Sequence, residues 1–373
     1  MVESIRKYFS GLPDPRHPRG RRHRLDELVI IAILAVICGA DNWQGAAQWA
    51  RAQRKWLKTF MDLPHGPASH ETFGRVFAAI QPEAFERCFL AWIQALAKLE
   101  PGELTAIDGK TLRHSFDPAS DKAAIQMIIA GSSVHGLGFG QLATGAKSNE
   151  ITAIAKLLDL LDLRGAVISL DAMGCQRDIA HQIIENGGAY IFWLKGNQST
   201  MHDEVRWWLD QAIAGQLRQV RLDRDRQVNK NHGQLQTRQL WCTEPVKGFA
   251  DRDQWAGLRS LIAVDGQRQM TDGRIEKEQR YFVSSLKGVD AKTFARLIRS
   301  HWQIENSLHW SLDVSFNEDA RRIRNGYAAE NFSRLRRIAL NLLKRQTTEK
   351  VGIKAKRLRA GWDEDYLLKV LTG

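Results

Sequence analysis

The sequence predicts a mixed α/β fold, in which a helical N-terminal domain precedes a sheet-centred core and the core is interrupted by a mainly β insertion. Three observations carry this. Residues 1–100 have the apolar spacing of helices. From about Gly102 the texture changes to short apolar strands separated by helical stretches, the pattern of a mixed sheet. Between 200 and 290 the segments QVRLDRDRQV, QLQTRQLWC and RSLIAVDGQRQ are polar and alternating, as in antiparallel strands. A chain of 373 residues is too long for one small core, so two or three structural units are expected.

In order along the chain, GLPDPRHPRGRRHR is Pro-rich and basic and reads as an exposed arm. LVIIAILAVIC lies within an apolar helix from Leu25 to Gly39, too short to span a bilayer. Trp43 to Phe60 is amphipathic. A turn at LPHGPASHETF leads into a further helix with Ser69 as its N-cap, and Pro82 to Leu99 forms another. ELTAIDGKTL is then a strand ending at Asp108. AAIQMIIAGSSV and LGFGQLATG form a hairpin, and Asn149 to Leu161 a helix. GAVISLDAMG is a strand ending at Asp171, Gln176 to Asn186 a helix, and AYIFWLKGN a buried strand. After the insertion, which opens on a Trp-rich helix and closes on YFVSSL, AKTFARLIRSHWQIENSLHWSL reads as one amphipathic helix and NFSRLRRIALNLLKRQ as another. The expected units are therefore 1–100, a first part of the core at 101–199, the insertion at 200–290, completing helices at 291–345 and a C-terminal tail at 346–373.

Lys and Arg total 54 against 42 Asp and Glu, a formal net charge of +12. Such an excess favours a polyanionic partner, nucleic acid foremost, because every phosphate neutralised releases counterions. Four scattered cysteines form no CxxC pair, which argues against a disulfide framework or a Cys-based zinc site and suggests a reducing, cytoplasmic setting. No signal-peptide pattern opens the chain. His70–Glu71 lacks the second His of a zinc protease motif, no phosphate-binding GxxxxGK[ST] loop occurs, and VHGLGFG lies in a hairpin where a dinucleotide fingerprint would not.

Two strands share one grammar, an apolar run that delivers an Asp followed by a small residue: TAIDG at Asp108 and ISLDA at Asp171. Ligands of open α/β sheets gather beyond the strand carboxyl ends, so this pattern aims carboxylates at such a crevice. An Asp there can also simply begin a turn. A third acid, Glu305, shares a helical face with Trp302, His309 and Leu312, where burial is costly unless the carboxylate is paired or bound to metal. Glu318 and Asp319 are reserve candidates. Three carboxylates suit two Mg²⁺ or Mn²⁺ ions, hard cations that prefer oxygen and serve in-line phosphoryl displacement. Lys110, and Lys195 with Asn197 and Gln198, are candidates to touch a DNA backbone nearby, a solvated strand end being the other reading of Lys195, and Arg16, Arg19, Arg21, Arg22 and Arg24 of the basic arm either touch phosphates or form a solvated loop.

Together, AIDGKTLR, SLDAMGCQ, YIFWLKGNQ and HWQIENSLHWSLDVSFNEDARRIR resemble the H-repeat-associated, or ISAs1, family of bacterial insertion-sequence transposases, which lies near the IS4 group. The resemblance runs through most of the chain, including GLPDPRHPRGRRHRLDELV. It implies a ribonuclease-H-like core and metal-dependent DNA cleavage and strand transfer at terminal inverted repeats, with Asp108, Asp171 and Glu305 as the three acids. It also implies double-stranded end and target DNA as partners, a homodimer in the active complex, and a cytoplasmic, nucleoid-associated protein. The chain departs from the Tyr, Arg and Lys set that the broader IS4 group carries around its Glu. His301, Arg299, His309 and the Arg321, Arg322, Arg324 run are the candidates for gripping flanking phosphates instead. A DNA-binding derivative without chemistry and a ribonuclease-H-like nuclease are the alternatives.

Overall fold

The computed structural model describes residues 2–96, 101–116, 123–133, 136–144, 150–231, 234–244, 249, 252–302 and 304–372. The N-terminal part is helical: α1 (Val2–Phe9), α2 (Leu25–Ile37), α3 (Trp43–Ala52), α4 (Arg54–Leu57), α5 (His70–Ala79) and α6 (Pro82–Leu96). Asn42 and Ser69 cap α3 and α5 by accepting from the amides of Gly45 and Thr72, satisfying donors the first turn would otherwise leave open. Leu28 to Ile37 of α2 are buried without a break, which is why that helix reads apolar all round.

The sheet contains β1 (Leu104–Leu112), β2 (Ile125–Ser132), β3 (Gly138–Ala143), β4 (Val167–Leu170), β5 (Ala189–Leu194), β6 (Asp223–Asn231), β7 (Gln234–Thr243), β8 (Ser260–Gln269) and β9 (Ile275–Ser284). Its order is β3-β2-β1-β4-β5-β9-β8-β7-β6. The hairpin strands β2 and β3 run antiparallel beside β1, whereas β1, β4 and β5 are mutually parallel. This order of the first five strands is that of a ribonuclease-H-like core. The parallel strands are connected through α7 (Glu150–Leu160) and α8 (Arg177–Glu185), as parallel neighbours require.

The polar segment expected as an insertion does not build a sheet of its own. After α9 (Ser199–Ile213), β9 pairs antiparallel with β5, and β8, β7 and β6 follow outward. The buried end of β9, Tyr281 to Ser284, supplies the apolar contacts at this join, and its outer half, exposed on both faces, explains the polar alternation.

The helix expected over 291–312 is interrupted. α10 (Ala291–His301) is followed by a π-helical segment, Ile304–His309, and then α11 (Trp310–Phe316). A π-segment inserts a residue into the helical spacing, so a face drawn at regular α spacing from Trp302 to Leu312 does not carry through it. α12 (Ala328–Arg345) is the central helix, buried continuously from Asn331 to Leu343 and packed on α2, α5 and α6. Residues 346–373, expected as a tail, instead form α13 (Ile353–Trp362) and α14 (Glu364–Thr372), which dock Tyr366, Leu367, Val370 and Leu371 into the core. No described helix is long and apolar enough to cross a membrane.

Gly326, just before α12, holds a φ of +49°, and a Cβ there would collide with the backbone oxygen of Ala78 at the end of α5. Gly326→Ala is therefore expected to destabilise the protein by about 2–4 kcal/mol, combining left-handed strain with overpacking against a rigid atom. Urea unfolding checks this.

Candidate active site at the ends of the parallel strands

Asp108 does not end its strand. β1 continues to Leu112 because β2 pairs with it throughout, up to Leu112↔Ile125. The parallel partner β4 lets go earlier, the last pair being Ile107↔Leu170. Asp108 and Asp171 are the next residues on each strand, so they leave the parallel ladder side by side, with backbones about 4.8 Å apart as neighbouring strands are. Sequence grammar places each aspartate at a strand end; only the pairing of β1 with β4 makes them neighbours.

The Asp171 carboxylate accepts from the amides of Met173 and Gly174 at 3.1 and 3.4 Å, which fixes the turn after β4. That turn is braced from outside. Asn197 donates to the carbonyl of Ala172 at 2.6 Å, and Gln198 donates to that of Cys175 at 3.0 Å. These side chains thus hold the Asp171 loop. Lys195, exposed at the end of β5, lies 3.6 Å over the Trp193 ring.

The segment from α10 to α11 crosses this face of the sheet. His301 pairs with Ser169, two residues before Asp171, at 2.8 Å through Nδ1. His309 Nδ1 lies 3.6 Å from the Asp108 carboxylate. Burial pushes both imidazoles down, His301 to about 4 and His309 to about 3, the latter helped by Arg337 and Lys110, so both are neutral at pH 7. The backbone of Glu305, in the π-helical segment, runs between these two histidines. Its side chain lies outside the described residues. Among those residues no group of three acids, histidines or cysteines stands together as a metal site, a search that does not include the Glu305 side chain.

Lys110 is turned inward. Its ammonium is buried, 2.6 Å from Asp313, 3.9 Å from Glu318 and 3.7 Å from Asp319. The reserve acids are likewise engaged: Glu318 is fully buried and accepts from Ser333 at 2.9 Å with Arg336 at 3.6 Å, and Asp319 pairs with Arg113 at 3.2 Å. This cluster ties β1 to the chain after α11.

The remaining basic candidates divide. Arg16 and Arg21 are bound to Asp14 and to backbone carbonyls of the arm, and Arg24 is paired with Asp26, which leaves Arg19 and Arg22 exposed. Arg321 is held by Asp41 at 2.5 Å and Arg324 sits over Phe116, while Arg322 points to solvent. Arg299 is exposed on α10, facing β6–β9.

One acid escaped the sequence reading. Glu150, at the start of α7, bonds Gln126 of β2, and its carboxylate reaches the Cα side of Gly109, next to Asp108. Burial, then the charge of Asp171, push its carboxyl up. Nothing in the local pattern distinguishes Glu150 from an ordinary first-turn acid; only the return of α7 over β1 and β2 brings it here.

The model of the family described as the transposase DDE domain matches residues 100–342, and that described as DDE_Tnp_1-associated matches residues 6–93. The chain is similar to "Putative transposase YncI" of Escherichia coli O157:H7, at 39% identity over 100% of this chain and 95% of the relative. It is also similar to "H repeat-associated putative transposase YhhI" of Escherichia coli K12, at 37% identity over 100% of this chain and 98% of the relative. The Escherichia coli K12 protein YbfL is 38% identical over the same shares.

Proposed function

The chain belongs to the transposase DDE domain family, and from that premise we propose that it is an active transposase whose metal-dependent centre is built on Asp108, Asp171 and Glu305. The observation that carries this is the emergence of two aspartates side by side from a parallel pair of strands, beneath a helical segment whose His301 and His309 flank Glu305. The donor set fits a hard divalent ion. Both aspartates are partly solvent-accessible, and carboxylate oxygens are the ligands Mg²⁺ and Mn²⁺ prefer. The engagement of Glu318 and Asp319 in ion pairs supports Glu305 as the third ligand.

When bound, two such ions supply Lewis acidity at a phosphate and lower the pKa of an attacking water or 3′-hydroxyl. The chain's own groups do the rest. Asp108 and Asp171 offset positive charge while leaving room for a phosphate. The neutral imidazoles of His301 and His309 pack beside them without repelling a cation. Asn197 and Gln198 keep the Asp171 loop in place, and Lys195, with Arg299 further along, offers charge to the DNA backbone. The partners are double-stranded DNA at the terminal inverted repeats of an insertion sequence and at a target, handled by a homodimer in the cytoplasm, at the nucleoid.

A plasmid carrying matched inverted repeats, incubated with the protein and Mg²⁺, should be cut at the repeat ends and the ends joined to target DNA; EDTA should stop both. Binding to the repeats without cleavage under any divalent ion would mark a DNA-binding derivative. Preferential cutting of RNA–DNA hybrid would mark a nuclease of other purpose. Asn197→Ala, which frees the loop after Asp171, is expected to slow cleavage about 10- to 100-fold while leaving DNA affinity within about twofold, since small displacements of a reacting group are costly. A change in affinity with unaltered single-turnover rate would assign Asn197 to DNA contact instead.

A further inference from the structure

A cleft of about 620 Å³ lies between α10 and one face of β6–β9. Its lining follows the two-residue period of the strands: Arg238 on β7, Gly266 and Arg268 on β8, and Arg280 on β9 all face it, with Arg299 and Trp302 from α10 opposite. Register sets Gly266 directly beside Arg238, so no side chain closes the floor between the arginines.

Four arginines of the lining, Arg238, Arg268, Arg280 and Arg299, face only two acids there, Asp225 and Glu278. Arg280 is satisfied, bidentate to Glu278 at 2.5 and 2.6 Å and stacked on Trp193 and Trp302. Arg238, Arg268 and Arg299 form no ion pair among the described residues, and Nη1 of Arg238 is buried without a hydrogen-bond partner. Burial and the charges of Arg299, Arg268 and Arg280 together hold Arg238 below its ordinary range. Gathering guanidinium groups this way is unfavourable unless an anion joins them.

We propose that this cleft binds the phosphates of a single DNA strand next to the active site. The reading rests on the DNA partner of the proposed function and adds where, and in what form, one strand is held. Two observations favour a single strand. The volume lies within the range of small-ligand sites, room for a nucleotide or two and not for a duplex. The cleft also adjoins the candidate centre, because consecutive residues of one helix end divide between them: His301 turns to Ser169 beside Asp171, and Trp302 turns to the cleft. A strand freed at the aspartates passes Lys195 and Trp302 and meets the three arginines.

The test is fluorescence anisotropy of the full chain in EDTA, with a labelled single-stranded oligonucleotide and its duplex titrated over a range of salt. Arg238→Gln combined with Arg268→Gln should weaken single-strand binding about tenfold or more. The log–log salt slope should fall by about 1.4, two contacts at about 0.7 each for single strands. Duplex affinity should stay within about twofold. Arg238→Lys with Arg268→Lys should restore most of the slope, which a merely structural loss would not allow. An unchanged slope, equal losses for single strand and duplex, or absence of rescue by lysine overturns the proposal. A protein that never cleaves repeat DNA yet shows the arginine-dependent slope would sink the transposase reading and keep the cleft, and the reverse result would do the opposite.

Discussion

Asp108→Asn and Asp171→Asn should each abolish repeat-end cleavage, by on the order of 10³-fold or more, while binding of repeat DNA changes less than about threefold. The asymmetry follows from the geometry. Each carboxylate stands at the mouth of the parallel pair, and each Asn keeps the shape and the local turn bonds but loses the charge a divalent ion needs. The cations proposed to meet DNA lie elsewhere, at the end of β5, on α10 and on the N-terminal arm, and are untouched. Glu305→Gln should behave alike if it is the third ligand. Gel shift and single-turnover cleavage, with circular dichroism to verify folding, separate the effects. Loss of binding together with cleavage would mean the aspartates organise structure or contact DNA through another route, and residual cleavage near wild type would remove them from the chemistry.

Glu86→Gln is expected to cost about 3–5 kcal/mol of stability. Glu86 and Arg334 are both fully buried and pair at 2.6 Å, and the other Glu86 oxygen accepts from the amide of Gln141 at 2.7 Å. One carboxylate thus joins α6, α12 and β3. Neutralising it leaves the buried guanidinium of Arg334 with the more distant carboxylate of Glu330, at 3.9 Å. Replacing both partners with apolar residues of similar volume should cost less, because the Arg334 guanidinium is removed together with its carboxylate. Chemical denaturation of the single and double variants measures the difference. A single transition at lower denaturant is expected for Glu86→Gln, since α6 packs on the sheet through this contact; an N-terminal helical unit that melted alone would show two.

Much of the fold was legible locally. The apolar runs around Asp108 and Asp171, the N-cap at Ser69 and the alternation of residues 223–284 each reflect forces acting over a few residues: strand pleat, capping and side-chain period. The site was legible only in part. Lys110 reads as a free cation two residues from an aspartate, yet its partner Asp313 lies 203 positions away. Asn197 and Gln198 read as DNA contacts, and in the fold they brace the loop after Asp171. The arginines of the cleft are scattered over β7, β8, β9 and α10, so no short window of sequence contains them. The π-segment at Ile304–His309 has no signature in a hydrophobic period.

By itself, then, the sequence determined a mixed α/β chain with a helical beginning, two apolar strands carrying aspartates, and an excess of positive charge directed at polyanions. Those properties are set by composition and by neighbours along the chain. Tertiary structure alone decided that β9 would extend the core sheet, that the two aspartates would emerge side by side, which basic residues would be consumed by ion pairs and which would face a cleft. Charges act across space at a few ångströms whatever their separation in sequence, so the identity of a lysine or arginine says little until its neighbours are known.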